Sequence, residues 1–174
     1  MNATTAAVRP ARRLRVDAGD VAMAGLVTAG VAHLVAVPDH LGWWPIAGVF
    51  FAVLGALQIG LAVHLSLRPL HPRVVFAALF ATAGVVVIYV LSRTVGLPGT
   101  PPVPAHGDRW VPGRSILPGG AKVVGPLDLV TLVAELVTGA ALFARLGPAA
   151  RARAANGLMI AGVAMWVGAF AGLL

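Results

Sequence analysis

Residues 45–65 of the chain read PIAGVFFAVLGALQIGLAVHL, and this stretch contains no Asp, Glu, Lys or Arg. An apolar run of about 18 residues or more is long enough to cross the hydrocarbon core of a bilayer as an α-helix. Its first residue, Pro45, suits the first turn of a helix, where the missing backbone N–H costs nothing. The stretch therefore predicts a transmembrane helix in an integral membrane protein.

Further apolar runs lie on both sides of this stretch, separated by short breaks rich in Pro and Gly. Together they predict helices over residues 21–37, 45–65, 74–92, 127–144 and 154–174. The first helix is expected to end or to kink at Pro38, because proline interrupts the hydrogen bonds of a helix interior. No useful stretch alternates with the period of a strand. The expected fold class is all-α, an integral membrane bundle of five transmembrane helices, or four if the last does not span.

The composition of the whole chain agrees with a membrane protein. Of its 174 residues, 59% are hydrophobic and 11% are charged, against about a quarter charged residues in soluble domains. The chain has no Cys, which excludes disulfides, thiolate metal sites and thiol redox chemistry. The Arg residues behind its net charge of +7 lie beside the apolar runs. The expected partner is therefore the lipid bilayer and not a nucleic acid.

The positions of Lys and Arg predict the orientation, because cytoplasmic segments of membrane proteins carry more of both. With the N-terminus inside, the inner side carries Arg9, Arg12, Arg13, Arg15, Arg68, Arg73, Arg145, Arg151 and Arg153, and the outer side carries Arg93, Arg109, Arg114 and Lys122. Residues 1–20 then form a basic cytoplasmic segment and residues 21–174 a single helical membrane domain, with residues 93–125 as an extracytoplasmic Pro- and Gly-rich loop. The preference for Arg over Lys is typical of a high-GC bacterial genome. We expect a bacterial cytoplasmic membrane, with the N-terminus inside and the C-terminus outside.

Polar residues inside the predicted helices concentrate toward the predicted outer half. Asp128, Thr131, Glu135 and Thr138 share one face of the fourth helix. An ionisable group costs about 2.5–3.5 kcal/mol at the centre of a membrane helix and usually faces a partner inside the bundle. The sequence therefore predicts a site that binds or passes a cation or a proton. Its candidate residues are Glu135, His33, Arg93, Asp128, Tyr89 and Gln58.

Other interpretations of these polar residues stay open. They could pair with one another only to fix the register of the helices. A metal set of His33, His40 and Glu135 is a weaker hypothesis, for which Cu(II) or Zn²⁺ would suit the imidazole and carboxylate ligands. The chain could also be an accessory or assembly subunit that packs against another membrane protein or a second copy of itself. An embedded enzyme that acts on a lipid or a quinone has the least support.

The direction of the polar face on the fourth helix separates the internal site from the assembly subunit. A face turned toward the interior would place its polar groups in a site within one chain. A face turned toward lipid would leave them unsatisfied, because the bilayer core offers no hydrogen-bond partners. The second outcome would require a partner protein or a homo-oligomer.

Several of these residues belong to a longer pattern over residues 30–140. The pattern runs His33, Pro38-Asp39-His40, Trp44, Gly48, Phe50-Phe51, Gln58, Ser92-Arg93-Thr94-x-Gly96-Leu97-Pro98, Asp128 and Glu135. It resembles a family of small, functionally uncharacterised multi-pass membrane proteins of high-GC Gram-positive bacteria. The resemblance implies a membrane fold with a polar outer cluster and brings no activity with it. It also implies a second acidic residue ahead of the tryptophan, where this chain has Gly42 and Trp43.

Overall fold

The computed structural model describes residues 16–68, 70–94, 97 and 124–171 of the chain. Five α-helices contain nearly all of these residues, and no strand occurs within the same ranges. The helices are α1 (Ala18–Trp43), α2 (Pro45–Leu67), α3 (Pro72–Thr94), α4 (Pro126–Arg145) and α5 (Pro148–Phe170). The predicted all-α fold class is confirmed. Residues 1–15 of the basic segment and most of the predicted loop over 93–125 lie outside the described residues.

Proline and aspartate residues mark where the helices begin. Helices α2 to α5 each begin at a proline, which lacks the N–H group that a first helical turn leaves unpaired. Helix α1 begins at Ala18 and not at residue 21, because Asp17 caps it. The Asp17 carboxyl accepts hydrogen bonds from the N–H groups of Gly19 and Asp20, and the Asp20 carboxyl accepts one from the Asp17 N–H at 3.0 Å. This capping box satisfies backbone donors that have no partner inside the helix.

Helix α1 continues through Pro38 to Trp43, so Pro38 does not end it, although an end there was one of the two expected outcomes. Proline removes a backbone hydrogen bond from the helix interior, but the following turn closes with other bonds. His40 Nδ1 lies 2.8 Å from the carbonyl oxygen of Ala36, and the N–H of Trp44 donates to the carbonyl oxygen of His40 at 2.7 Å. One continuous helix therefore carries both His33 and His40.

Helix α1 lies between α2 and α4, and α4 packs against α3. Small residues allow the close approach on both sides of α1. A Cβ atom at Gly55 of α2 would lie 2.8 Å from the carbonyl oxygen of Gly30 in α1, and one at Gly25 of α1 would overlap the hydroxyl of Thr138 in α4. Membrane helices associate through such backbone contacts, because lipid offers no hydrophobic force to drive them together.

The ion pairs define two ends of the bundle. Asp17 before α1 lies near Arg145 at the end of α4, and Arg93 near the end of α3 pairs with Asp128 at the start of α4. We call these the Asp17 end and the Asp128 end. A core cluster connects α1, α3, α4 and α5, and its buried residues are Ala22, Leu70, Val75, Leu79, Ala141, Leu142, Leu146 and Ala154. The core thus lies toward the Asp17 end.

Helix α5 contacts the core cluster through its first half. Ala154 is buried in the core cluster, and a Cβ atom at Gly157 would lie 3.0 Å from the ring of Phe80 in α3. Farther along α5, the large apolar residues Met159, Ile160, Val163, Trp166 and Val167 are exposed. Helix α5 is therefore held to the bundle near the Asp17 end.

The surface of the bundle is apolar where a water-soluble protein would be polar. Four helices, α1 to α4, are long and apolar enough to cross a membrane. On α4, the exposed residues include Leu129, Val133, Leu136 and Val137. Such a surface suits lipid, and it identifies the chain as a membrane protein. Over the residues described, α5 is not among the four helices that meet this criterion, so a fifth span stays a prediction.

Candidate ion or proton site

The polar face of α4 points into the bundle. Glu135 is 2% exposed and Thr138 is 0% exposed, whereas their apolar neighbours Leu136 and Val137 are exposed. Asp128 is partly buried at the start of the same helix. Helix α4 therefore has its polar face inside and its apolar face outside, as expected for a helix surrounded by lipid.

A chain of hydrogen bonds joins three helices at the level of Glu135. In this chain, Gln58 Nε2 of α2 donates to Glu135 Oε1 of α4 at 2.6 Å, and Gln58 Oε1 lies 2.9 Å from His33 Nδ1 of α1. His33 and Gln58 are 5% and 6% exposed. We call His33, Gln58 and Glu135 the central chain. It links three of the residues that the sequence predicted for the site.

The order of the atoms in the central chain implies where the hydrogens lie. An ionised carboxylate only accepts hydrogen bonds, so Gln58 turns its NH₂ group toward Glu135. The carbonyl oxygen of Gln58 then faces His33, and because this oxygen also only accepts, Nδ1 of His33 carries a hydrogen. Glu135 and His33 are thus connected through a single amide.

Glu135 lies near the middle of its helix. It is nine residues from the first residue of α4 and ten from the last, which corresponds to about 14 Å and 15 Å at the rise of an α-helix. The sequence predicts that the polar residues lie toward the outer half of the membrane. Glu135 itself lies at a depth where an ionisable group is most costly.

Two buried oxygen atoms beside the central chain lack a hydrogen-bond partner among the described residues. They are Oε2 of Glu135 and Oγ1 of Thr138. The two residues are three positions apart on α4 and so lie on the same helix face. The sequence analysis included Thr138 in the polar face but not in the candidate site. Its lack of a partner could not be predicted from the helix pattern, because threonine usually bonds a carbonyl of its own helix.

A second polar group lies at the Asp128 end. Arg93 Nη2 donates to Asp128 Oδ1 at 2.7 Å, and Asp128 Oδ2 accepts from the N–H of Gly125 at 2.9 Å. The guanidinium carbon of Arg93 lies 5.5 Å from the centre of the Tyr89 ring. Asp128 and Glu135 are seven residues apart on α4, about 10 Å along the helix axis. The six predicted site residues therefore form two groups, with Arg93, Asp128 and Tyr89 apart from the central chain.

His40 lies on the Asp128 side of His33, with Phe51 between the two rings. The centre of the Phe51 ring is 5.5 Å from that of His33 and 4.6 Å from that of His40. His40 Nδ1 is already within hydrogen-bond distance of a carbonyl oxygen of its own helix. Within the described ranges, no three His, Cys, Asp or Glu residues lie close enough to hold a metal ion. The set of His33, His40 and Glu135, with Cu(II) or Zn²⁺, stays a prediction.

Comparisons with known proteins do not place the chain in a family. No protein-family model, curated protein or solved structure matches it. The resemblance to membrane proteins of high-GC Gram-positive bacteria stays a prediction. A function for the chain therefore rests on the chemistry of its own residues.

Proposed function

We propose that this membrane protein binds or passes a proton or another cation at a site inside the bilayer, built on the central chain. Glu135 is the observation that supports the proposal most directly. Its carboxyl group is buried near the middle of a membrane helix, one oxygen accepts a hydrogen bond from Gln58, and the other has no partner among the described residues. A carboxyl in this position can take up and release a positive charge.

The main alternative is that the polar residues only hold the helices together. A structural carboxyl in a membrane is expected to use both of its oxygens, because an unpaired buried polar atom costs about 1–3 kcal/mol. Asp128 fits this expectation, since one oxygen accepts from Arg93 and the other from Gly125. Glu135 does not fit it. The difference favours a role in binding for Glu135 and a structural role for Asp128.

The inward polar face of α4 favours an internal site over an assembly subunit. Had Glu135 and Thr138 faced lipid, the chain would have needed a partner to satisfy them. Both are buried within the single chain. An accessory subunit or a homo-oligomer remains the alternative function, and it would have to use the apolar outer surface of the helices.

We propose a bacterial cytoplasmic membrane with the Asp17 end inside. Arg145, Arg151 and Arg153 lie around the loop between α4 and α5 at that end, in agreement with the excess of Lys and Arg in cytoplasmic segments. We also propose that α5 spans the membrane: the predicted apolar run over residues 154–174 has 21 residues, which gives about 31 Å as a helix, close to the thickness of a bilayer core. Reporter fusions after residues 70, 110 and 174 should read inside, outside and outside. An inside signal at residue 174 would remove α5 as a span.

Transport assays with the purified chain in liposomes test the proposed site. A pH-sensitive dye trapped in the vesicles reports proton movement when a membrane potential is imposed. The variants are Glu135→Gln, which keeps the shape of the side chain and removes its charge, and the control Asp39→Asn, which makes the same change at an exposed residue of α1. We expect flux with the native chain and with Asp39→Asn, and a loss of flux with Glu135→Gln.

Two further measurements separate the possible cations. Replacing the proton gradient with a sodium or potassium gradient shows whether another monovalent cation moves. Metal analysis of the native chain, Glu135→Gln and His33→Ala tests for bound copper or zinc. If Glu135→Gln carries protons and cations as the native chain does, and metal is substoichiometric in all three proteins, the proposed function is wrong.

A further inference from the structure

The hydroxyl group of Thr138 differs from those of two other threonines in the membrane helices. Thr28 Oγ1 donates to the carbonyl oxygen of Ala24 at 2.9 Å, and Thr131 Oγ1 donates to that of Leu127 at 2.8 Å. Both hydrogen bonds are exposed on the helix surface. Thr138 is fully buried, and its hydroxyl oxygen has no partner in the described part of the chain. A buried hydroxyl without a partner is costly unless it serves another group.

The packing of α1 keeps the Thr138 hydroxyl at the interface between α1 and α4. The hydroxyl lies against Gly25, where a Cβ atom would overlap it. The other orphaned oxygen, Glu135 Oε2, belongs to the residue three positions earlier on α4, and such residues have Cβ atoms about 5–6 Å apart. Two buried oxygen atoms on one face of α4 thus both lack a hydrogen-bond partner in the described part of the chain.

We propose that the transported ion is a proton and that it binds to Oε2 of Glu135, with the Thr138 hydroxyl as its hydrogen-bond partner, either through one water molecule or after a rotation of one of the two side chains. This inference rests on the proposed function and adds to it the identity of the ion, the atom that binds it and a fourth residue of the site. The bond that forms on uptake is O–H at Oε2, and the same bond breaks on release.

Gln58 and Thr138 suit this exchange because an amide N–H group and a hydroxyl group differ in what they can donate and accept. Gln58 presents an N–H group to Oε1, and an N–H group only donates, so it holds Oε1 as an acceptor in both states. A threonine hydroxyl donates to an ionised oxygen and accepts from a protonated one. A threonine hydroxyl can therefore serve Oε2 both before and after the proton binds.

The same atoms are poorly suited to a metal cation. Hard cations such as Ca²⁺ take about six to eight oxygen ligands, whereas two buried side-chain oxygens beside Glu135 lack partners in the described chain. The N–H group of Gln58 also repels a cation from the Oε1 side. The other ionisable groups do not replace the missing ligands: His33 reaches Glu135 only through Gln58, and Arg93 and Asp128 pair with each other at the Asp128 end.

The test uses the full chain in lipid and compares Thr138→Val, Thr138→Ser and Thr131→Val. Valine keeps the shape of threonine and removes the hydroxyl, serine keeps the hydroxyl, and Thr131 is the matched control because its hydroxyl bonds its own helix. Infrared spectra recorded between acid and neutral pH report the protonated carboxyl, and the Glu135 band is the one that Glu135→Gln removes. Proton flux is measured in the same preparations.

We expect Thr138→Val to shift the Glu135 carboxyl band and to lower the proton flux by about two- to tenfold, the worth of one hydrogen bond. Thr138→Ser should restore both values, and Thr131→Val should match the native chain. If Glu135→Gln abolishes flux while Thr138→Val leaves band and flux unchanged, this inference is wrong and the proposed function stands. Flux that follows sodium or potassium, or a Glu135 band that does not respond to pH in the native chain, also overturns it. Unchanged flux of protons and other cations in Glu135→Gln, with substoichiometric metal in all variants, overturns the proposed function itself.

Discussion

The central chain and the ion pair at the Asp128 end both join helices through acidic residues of α4, but they do so in opposite ways. The side chain of Asp128 is 29% exposed, pairs with Arg93 at 2.7 Å, and uses its second oxygen to accept from the N–H of Gly125, the residue just before its own helix. Glu135 is almost fully buried, bonds an uncharged amide, and leaves its second oxygen without a partner in the described chain. Both carboxyl oxygens of the partly exposed Asp128 have hydrogen-bond partners, whereas only one of those of the buried Glu135 does.

The second carboxyl oxygen of Glu135 can therefore bind a proton or cation, a property that the stability of the fold does not require. A carboxylate paired with arginine near the surface needs little else. A carboxyl at the centre of the membrane would be more stable with both oxygens satisfied, or replaced by an apolar residue. If Asp128 has a structural role and Glu135 a binding role, substitutions in the two regions should affect stability and proton flux differently.

The largest effect is expected where the helices approach most closely around the central chain. A valine at Gly55 would place its side chain against the Gly30 backbone and Leu34. We expect Gly55→Val to lower the free energy of unfolding by about 3 kcal/mol, because the overpacked contact forces the helices apart. Gly60→Val is the control on the same helix, since a Cβ atom there meets nothing within 4 Å. Unfolding in detergent, followed by circular dichroism, measures both. Equal losses in the two variants would contradict the predicted close contact.

The second effect concerns the amide that links His33 to Glu135. Gln58→Leu leaves both partners buried without their hydrogen bonds, so we expect a loss of about 2 kcal/mol in the free energy of unfolding. The triple variant His33→Leu, Gln58→Leu, Glu135→Leu removes all the polar groups at once and should recover most of this loss. If the triple variant is no more stable than Gln58→Leu, unpaired polar groups are not the cause.

A smaller effect is expected at the Asp128 end. Asp128→Asn keeps an oxygen that can accept from Gly125 and weakens the ion pair with Arg93. We expect it to cost about 1 kcal/mol of stability at most, since partly exposed ion pairs contribute little. Proton flux should stay at the native level. A loss of flux as complete as that of Glu135→Gln would place Asp128 on the proton path and remove the distinction between the two regions.

The sequence predicts the fold well and the site only in part, for physical reasons. Apolar length and period are local properties, so the five helices and the polar face of α4 follow from them, whereas the inward direction of that face depends on how the helices pack. The partner of Glu135 is not local: Gln58 lies 77 positions away, and its choice depends on how Gly25, Gly30 and Gly55 let three backbones approach. The continuation of α1 through Pro38 was also missed, because hydrogen bonds in the next turn offset the one that proline removes.

The smallest effect is expected at Asp17, which caps α1 and belongs neither to the central chain nor to the Asp128 end. Hydrogen bonds from the backbone of Asp20 and Gly19 lower the pKa of the Asp17 carboxyl. A carboxyl whose pKa is lower in the folded chain stabilises the fold above its unfolded pKa, about 3.9, and loses that contribution as the pH falls through the folded value. The free energy of unfolding of the native chain should therefore fall at acid pH.

Asp17→Asn isolates the contribution of this one carboxyl. Asparagine caps a helix about as well as aspartate and does not titrate, so the variant should match the native chain near neutral pH and lose less stability between about pH 5 and pH 2. Denaturant unfolding of both proteins over this range measures the difference. Parallel curves would show that the cap does not favour the ionised carboxyl. If the two curves differ and the proton flux of Asp17→Asn is unchanged, Asp17 titrates but only stabilises the start of a helix. Glu135 differs from it, because we expect its titration to move an ion.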